Sequence, residues 1–367
     1  MRIAVCPLIL AASLIALSAC GKGEKEPQQA PERPSIEVSE VAAADGYGAP
    51  GETVNAVAFW SHPSLTFESL LLVATDAGVE ALNIETGEQV DAIAQGAVSA
   101  LSVVYTGSGA GAEAYVVAGR PNGYEFYSID NASRSLAPVK VESGAPRAGA
   151  FCAGRAGDDL ALYEISNGDV SERAIDLRDS GLALGDPRKI ISMRAHSCHV
   201  DDRTGDVIII ARDGGIHRLD PKTGETFGLA FGAADATATA LFLMTTAEPE
   251  NAPGGAVGLL DGETGVISLF DLADGHALGA VRVKSTFDLE AVASATTMAA
   301  GYGNYGGVYR DGALAVVTTG DGAPIRLVPW NGVLAAISQP LGETVDPRAP
   351  QAVDDDAPVI EIDLIEP

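Results

Sequence analysis

The stretch "VNAVAFWSHPSLTFESLLLVATDAGVEALNI", residues 54 to 84, divides at its turn residues into three apolar strands. Its first strand, "VNAVAFW", carries no charge, although the formal net charge of the 367-residue chain is -27. The pattern continues downstream. Apolar runs rich in Val, Ile, Leu, Phe and Tyr recur between Gly, Asp and Asn turns, and no long amphipathic helical period follows residue 52. The class is all-β.

Three segments show the repeat best: "ALNIETGEQVDAI" (81 to 93), "HRLDPKTGETFGL" (217 to 229) and "SLFDLADGHALGA" (268 to 280). Each is an apolar strand ending near an acid, a tight Gly-containing turn and a returning strand, the composition of a β-hairpin. Another apolar strand precedes each: "SLLLVAT" (69 to 75), "DVIIIAR" (206 to 212) and "AVGLLD" (256 to 261). Units of roughly 45 residues with several strands apiece predict a six-bladed β-propeller. The blades fall near 52-95, 96-143, 144-187, 188-235, 236-285 and 286-337. A β-sandwich is the alternative, but it does not require the repeat. A distant strand must close the ring. "PVIEIDLIEP" (358 to 367) alternates apolar and acidic residues and is favoured for an outer strand over "PSIEVSEV" (34 to 41).

At the front, "MRIAVCPLILAASLIALSACG" combines Arg2, an apolar run and small residues ahead of Cys20. The run is shorter than the ~20 residues of a spanning helix. It reads as a signal peptide over 1-19 of the bacterial lipoprotein type, cut at the "LSAC" box so that Cys20 becomes acylated. An ordinary secretory signal or a short anchor is the alternative. Acyl chains would seat Cys20 in the lipid bilayer, each buried methylene adding about 0.8 kcal/mol. Gly21, rather than Asp, implies by the habit of Gram-negative lipoproteins an outer-membrane address facing the periplasm or the cell surface. The lipidated cysteine and a Pro- and Glu-rich tether occupy 20-51, with an end-to-end distance of ~30 Å. The folded domain is expected over 52-348. An acidic tail, 349-367, carries the candidate outer strand.

The charge balance excludes a nucleic-acid footprint and disfavours adsorption to anionic lipid. It describes a solvated surface. Calcium binding is the sharper reading, yet no Asp-x-Asp-x-Asp-Gly loop is present. Cys6 leaves with the signal and Cys20 takes lipid, so Cys152 and Cys198 remain, as a disulfide or as two buried thiols. They fall on corresponding inner strands of the third and fourth blades. A bond there needs matching heights, with Cα atoms within about 7 Å. In "AHSCHVDD" (195 to 202), strand alternation points His196 and Cys198 one way and His199 the other, so a shared metal ion would need a bulge. "GYGNYGGVYRDG" (301 to 312) reads as an inserted loop in the last blade, with the Tyr and Arg composition of a contact surface. "NAS" (131 to 133) is a turn. No Gly-x-Ser-x-Gly elbow, phosphate loop or His-Glu-x-x-His occurs.

Several of these patterns resemble one family. "AFWSHPSLTFESLLLVATDAGVEALNI", "AGRPNGYEFYSID" (118 to 130), "VDDRTGDVIIIARDGGIHRL" (200 to 219), "IRLVPWNGVLAAI" (325 to 337) and "VDPR" (345 to 348) are similar, in order and spacing, to the β-propeller phytases. The resemblance implies a calcium-dependent 3-phytase that removes phosphate from inositol hexakisphosphate through calcium-gathering carboxylates and cationic phosphate ligands. The family's opening Asp-Asp-Pro-Ala-x-Trp matches Asn55, Ala56, Val57, Ala58, Phe59 and Trp60, without the carboxylates. Its lysine pair after Thr-Asp is replaced by Ala77 and Gly78 after Thr75 and Asp76. Its Glu-Gly aligns with His196 and Ser197, and its Asp-x-Glu-Gly falls in "DATATALF" (235 to 242). What the resemblance retains is Arg120 as a phosphate ligand and Asp288 with Glu290 as calcium ligands. Two functions follow. One is a catalytically degenerate, phytase-like lipoprotein that binds an envelope protein, glycan or organophosphate; the other is an active calcium-dependent phytase.

Overall fold

Val54–Trp60 buries both of its faces, and that is why it excludes charge. In the computed structural model Val57 and Phe59 pack with Ala315, Val317 and Leu327 of the last blade. Ala58 and Trp60 turn the other way, onto Val116, Ala118 and Tyr127 of the second. Alternate side chains of a strand point to opposite faces, so an ionised group at any of these positions would lose its water. Leu70–Thr75 divides likewise, Leu71 and Val73 to one side and Leu70 and Leu72 to the other.

The structure describes residues 36–48, 52–142, 149–156, 159–178, 181–231, 236–245, 254–320 and 322–349. The signal peptide, Cys20, most of the tether and the candidate strand 358-367 lie outside them. Strands pair into six sheets that form a six-bladed β-propeller. The inner strands are Val54–Trp60, Ala100–Thr106, Ala150–Ala156, Ala195–Asp201, Ala238–Thr245 and Ala295–Gly301. Each neighbours the next around the ring, and the last lies beside the first. One apolar cluster fills each of the six spaces between blades, including the closing one. Large side chains such as Trp60, Tyr127, Tyr163 and Trp330 are almost fully buried there. Each contributes about 1.5–3 kcal/mol over its exposed state.

The hairpin turns repeat a single device. Asn83, Asp130, Asp220 and Asp271 each end a strand and accept backbone N–H groups two or three residues on. These local bonds satisfy turn donors that no strand pairs. The acid or amide at the end of each apolar run is therefore a turn residue.

The ring closes differently from expectation. Asp45–Tyr47 is the outer strand of the sixth blade, antiparallel to Ile325–Pro329. Val38–Ala42 adds to the fifth blade, parallel to Ala277–Lys284. The chain ahead of the first blade thus ties the fifth and sixth together. Arg188–Ser192, expected to begin the fourth blade, pairs instead with the long strand Asp169–Arg178 of the third. That strand has ten residues and accommodates two short partners end to end, the other being Gly181–Leu184.

Candidate functional site

The six inner strands enclose a channel of about 400 Å³. Asn55, Ser99, Ser102, His196, Ser197, His199, Thr237, Thr239 and Thr297 supply its polar wall, and Phe59, Phe151, Tyr105 and Tyr305 its aromatic one. Among the described residues lining it there is no Asp, Glu, Lys or Arg.

Three bulges shape the mouth. Pairing skips Asn55 in the first blade, His196 in the fourth and Thr296 in the sixth, always the second residue of the inner strand. An extra residue re-aims the side chains around it. Asn55 Nδ2 donates to the Asp76 carboxylate and to the Val98 carbonyl, both at 3.0 Å, so it binds its own blade to the next. Deeper, Thr239 Oγ1 lies 2.7 Å from His199 Nε2 and 2.9 Å from Ser197 Oγ. Burial lowers the His199 pKa to about 4, which keeps the ring neutral near pH 7.

The far end is crossed by the chain that follows the last blade. Glu343 and Thr344 pair with the end of the fifth inner strand, and Pro347 reaches the channel wall. Arg348 donates to the His62 carbonyl of the first blade at 2.5 Å, and its own carbonyl accepts from Arg155 of the third at 3.2 Å. Asp202 accepts the Arg155 backbone N–H at 2.7 Å and the Tyr302 hydroxyl at 3.0 Å. Burial raises its pKa to about 6. The "VDPR" segment is a strap, built of groups that hold one another.

The residues singled out from sequence occupy separate places. Arg120 is buried at the end of Glu113–Arg120, donating to the Gln95 and Gly96 carbonyls at 2.8 and 2.7 Å and pairing with Glu125 at 2.5 Å. Asp288 and Glu290 are exposed on the connection before the sixth inner strand. No described contact joins them to Arg120. Cys152 and Cys198 are joined in a disulfide, with Cα atoms 5.6 Å apart, which ties the third inner strand to the fourth. Cys198 has therefore no thiolate for a metal ion, and the bulge at His196 leaves His199 on the Thr239 side. Among the described residues only Asp271, Asp274 and His276 bring three ligating groups within 4.8 Å of one another. Their hairpin uses them internally, since Asp274 accepts from the His276 ring and backbone and Asp271 from the Ala273 N–H.

The Gly- and Tyr-rich loop departs from its reading as a contact surface. Tyr305 and Tyr309 are buried, one against Phe59 with ring centroids 5.3 Å apart and the other bonded to Asp45 at 2.5 Å, while Tyr302 reaches Asp202. Its glycines allow the loop to fold inward: Gly306 and Gly307 hold φ of 80° and 47°, which brings the chain against Phe67 and Glu85.

No family model matches the chain, and no curated protein does. Among solved structures, that of U3-55K aligns with a TM-score of 0.44 and 10% identity, over 79% of this chain and 85% of that one.

The hydroxyl-bearing residues of the polar wall are scattered one or two to a blade over the second, fourth, fifth and sixth blades, so no single stretch of sequence displays them. The signal they share is a Ser or Thr within three residues of the start of the inner strand, which is also the composition of a turn.

Proposed function

We propose that the protein is a lipoprotein of the bacterial envelope, held by acylated Cys20, whose phytase-like propeller is a binding module for a hydroxyl-rich ligand of the glycan class. The observation that carries this reading is the channel wall: side-chain hydroxyls, amide and imidazole interleaved with aromatic rings, and no ionised group among the described lining residues. Such a wall exchanges hydrogen bonds with sugar hydroxyls and stacks apolar sugar faces. A volume of about 400 Å³ suits one or two sugar rings, in the lower range of small-molecule sites.

Calcium-dependent phosphate release finds less support. A calcium ion takes 6 to 8 oxygens, and phosphate groups need cations free to meet them. Two exposed carboxylates and an arginine already engaged by two carbonyls and a carboxylate do not fit that requirement. The test is turnover. Purified full-length protein given inositol hexakisphosphate and millimolar calcium should release no phosphate above a boiled control. Steady release, abolished by Asp288→Ala, would reject the binding-module reading in favour of the phytase. Mass analysis of the mature N-terminal peptide should find Cys20 first and acylated; an unmodified Cys20 preceded by uncleaved signal would reject the tether.

A further inference from the structure

Beside the channel mouth, the fourth blade holds two arginines with no carboxylate partner among the described residues. The guanidinium groups of Arg194 and Arg212 make no hydrogen bond or ion pair among the described residues, in a chain with 50 acids and 23 basic residues. Every other described arginine except Arg282 has a partner: Arg120, Arg134, Arg155, Arg173, Arg178, Arg188, Arg203, Arg218, Arg310, Arg326 and Arg348. Such excess acid makes a neighbouring pair of unpartnered guanidiniums conspicuous.

Their positions are fixed by backbone. The Arg212 N–H donates to the Arg194 carbonyl at 3.1 Å, so the two residues are held side by side. Arg194 has a φ of 53°, the left-handed region that costs a non-glycine residue energy. Gly168 holds it there. The Gly168 carbonyl accepts from Met193 and Ala195, and a β-carbon at Gly168 would stand 2.7 Å from the Arg194 Cα. Arg212 lines a small cavity of about 170 Å³ with His196, Ile210, Ala211 and Ala236. His196, the bulged residue, lines this cavity and the channel alike, so both spaces border it. Asp213, the nearest acid in sequence, turns its carboxylate to the Gly215 N–H at 3.1 Å.

We propose that this corner of the mouth is a carboxylate subsite: Arg212, with Arg194 and His196 beside it, receives the acid group of a uronic-acid residue whose neighbouring sugar occupies the channel. The inference rests on the glycan reading above and names its acidic class. A guanidinium meets a carboxylate through two parallel N–H bonds, and one such group matches the charge supplied here. A polyphosphate would bring several negative charges toward a surface already at -27, with too few cations to meet them.

The experiment is calorimetric titration of the full-length protein in neutral detergent with trigalacturonate, with its fully methyl-esterified form, and with inorganic phosphate as a competitor. Trigalacturonate should bind at least about tenfold more tightly than the ester, the increment of one charge-assisted contact. Arg212→Gln should remove that preference, so that acid and ester bind alike, while Arg282→Gln on Ala277–Lys284 of the fifth blade should keep it. Equal binding of acid and ester would overturn the subsite and leave the glycan reading standing. Binding of neither would overturn both. Displacement of trigalacturonate by equimolar phosphate would overturn the choice of carboxylate.

Discussion

The two ends of the channel are built from opposite materials. At the mouth, neutral polar side chains from every blade but the third line an open space, three bulges interrupt the strand register, and two arginines stand unpartnered among the described residues. At the far end, charged and phenolic groups are consumed by one another through Asp202, Tyr302, Arg155, Arg348 and the His62 carbonyl. Polar groups that satisfy each other rigidify a protein, and the mouth has some of these in Asn55, Ser197, His199 and Thr239. His196 and Thr297, which make no side-chain hydrogen bond among the described residues, are the ones left to face the cavity. Under the binding-module proposal, stability belongs to the strapped end and recognition to the mouth.

The largest effect that would sharpen this contrast is expected at Tyr305. It is 2% exposed and packs on Phe59. Tyr305→Ala should cost about 3–5 kcal/mol in a urea unfolding titration. Thr297→Val at the mouth should stay within about 0.5 kcal/mol. Comparable losses at both positions would erase the distinction.

Next comes Asp202. Its folded pKa is raised from the ordinary 3.8 to about 6, so the stability it contributes is full below its unfolded value and is lost as pH rises through about 6. The Arg155 guanidinium opposes the shift and Asp201 adds to it. His199 works with the reverse sign. Its folded pKa is lowered to about 4, so its contribution is present above its ordinary value of 6.5 and is lost as pH falls through 4. The two oppose each other between pH 4 and 6.5, and each single variant exposes the other. Asp202→Asn should gain on the order of 3 kcal/mol at pH 7 relative to pH 4, compared with the parent chain. An unchanged pH profile of melting temperature would show that the strapped end does not hold a buried acid.

Arg348→Ala should cost about 1–3 kcal/mol, because it removes the bond to the His62 carbonyl at the strapped end. Hydrogen exchange at 343-348 should quicken while that at 54-60 does not. The smallest effect belongs to Asp288→Ala and Glu290→Ala. Both residues are exposed, and each change should shift stability by no more than about 0.5 kcal/mol with or without calcium. Calcium-dependent stabilisation of the parent protein, lost in either variant, would move the functional weight from the channel wall to this loop.

Much of this architecture is written in the chain. An acid near the end of an apolar run, followed by a Gly turn, marks the hairpins in 81 to 93, 217 to 229 and 268 to 280, and six blades follow from their spacing. The closure is harder to see. Asp45–Tyr47 is three residues long and has no period to display, so the well-patterned "PVIEIDLIEP" drew the assignment. The site was hidden for another reason. A bulge shifts register by one residue, so alternation cannot say which way Asn55 or His196 faces. Nor does tyrosine content reveal that Gly306 and Gly307 fold Tyr305 and Tyr309 inward.

The most direct test is binding of the neutral methyl ester of trigalacturonate to three proteins: the parent, Thr297→Trp at the mouth, and Arg348→Ala at the strap. All three should remain folded by circular dichroism. The mouth variant should lose binding, because an indole at position 297 fills the channel wall, and the strap variant should retain it. Loss of binding in the strap variant alone, with the filled mouth binding as before, would contradict the assignment of recognition to the mouth.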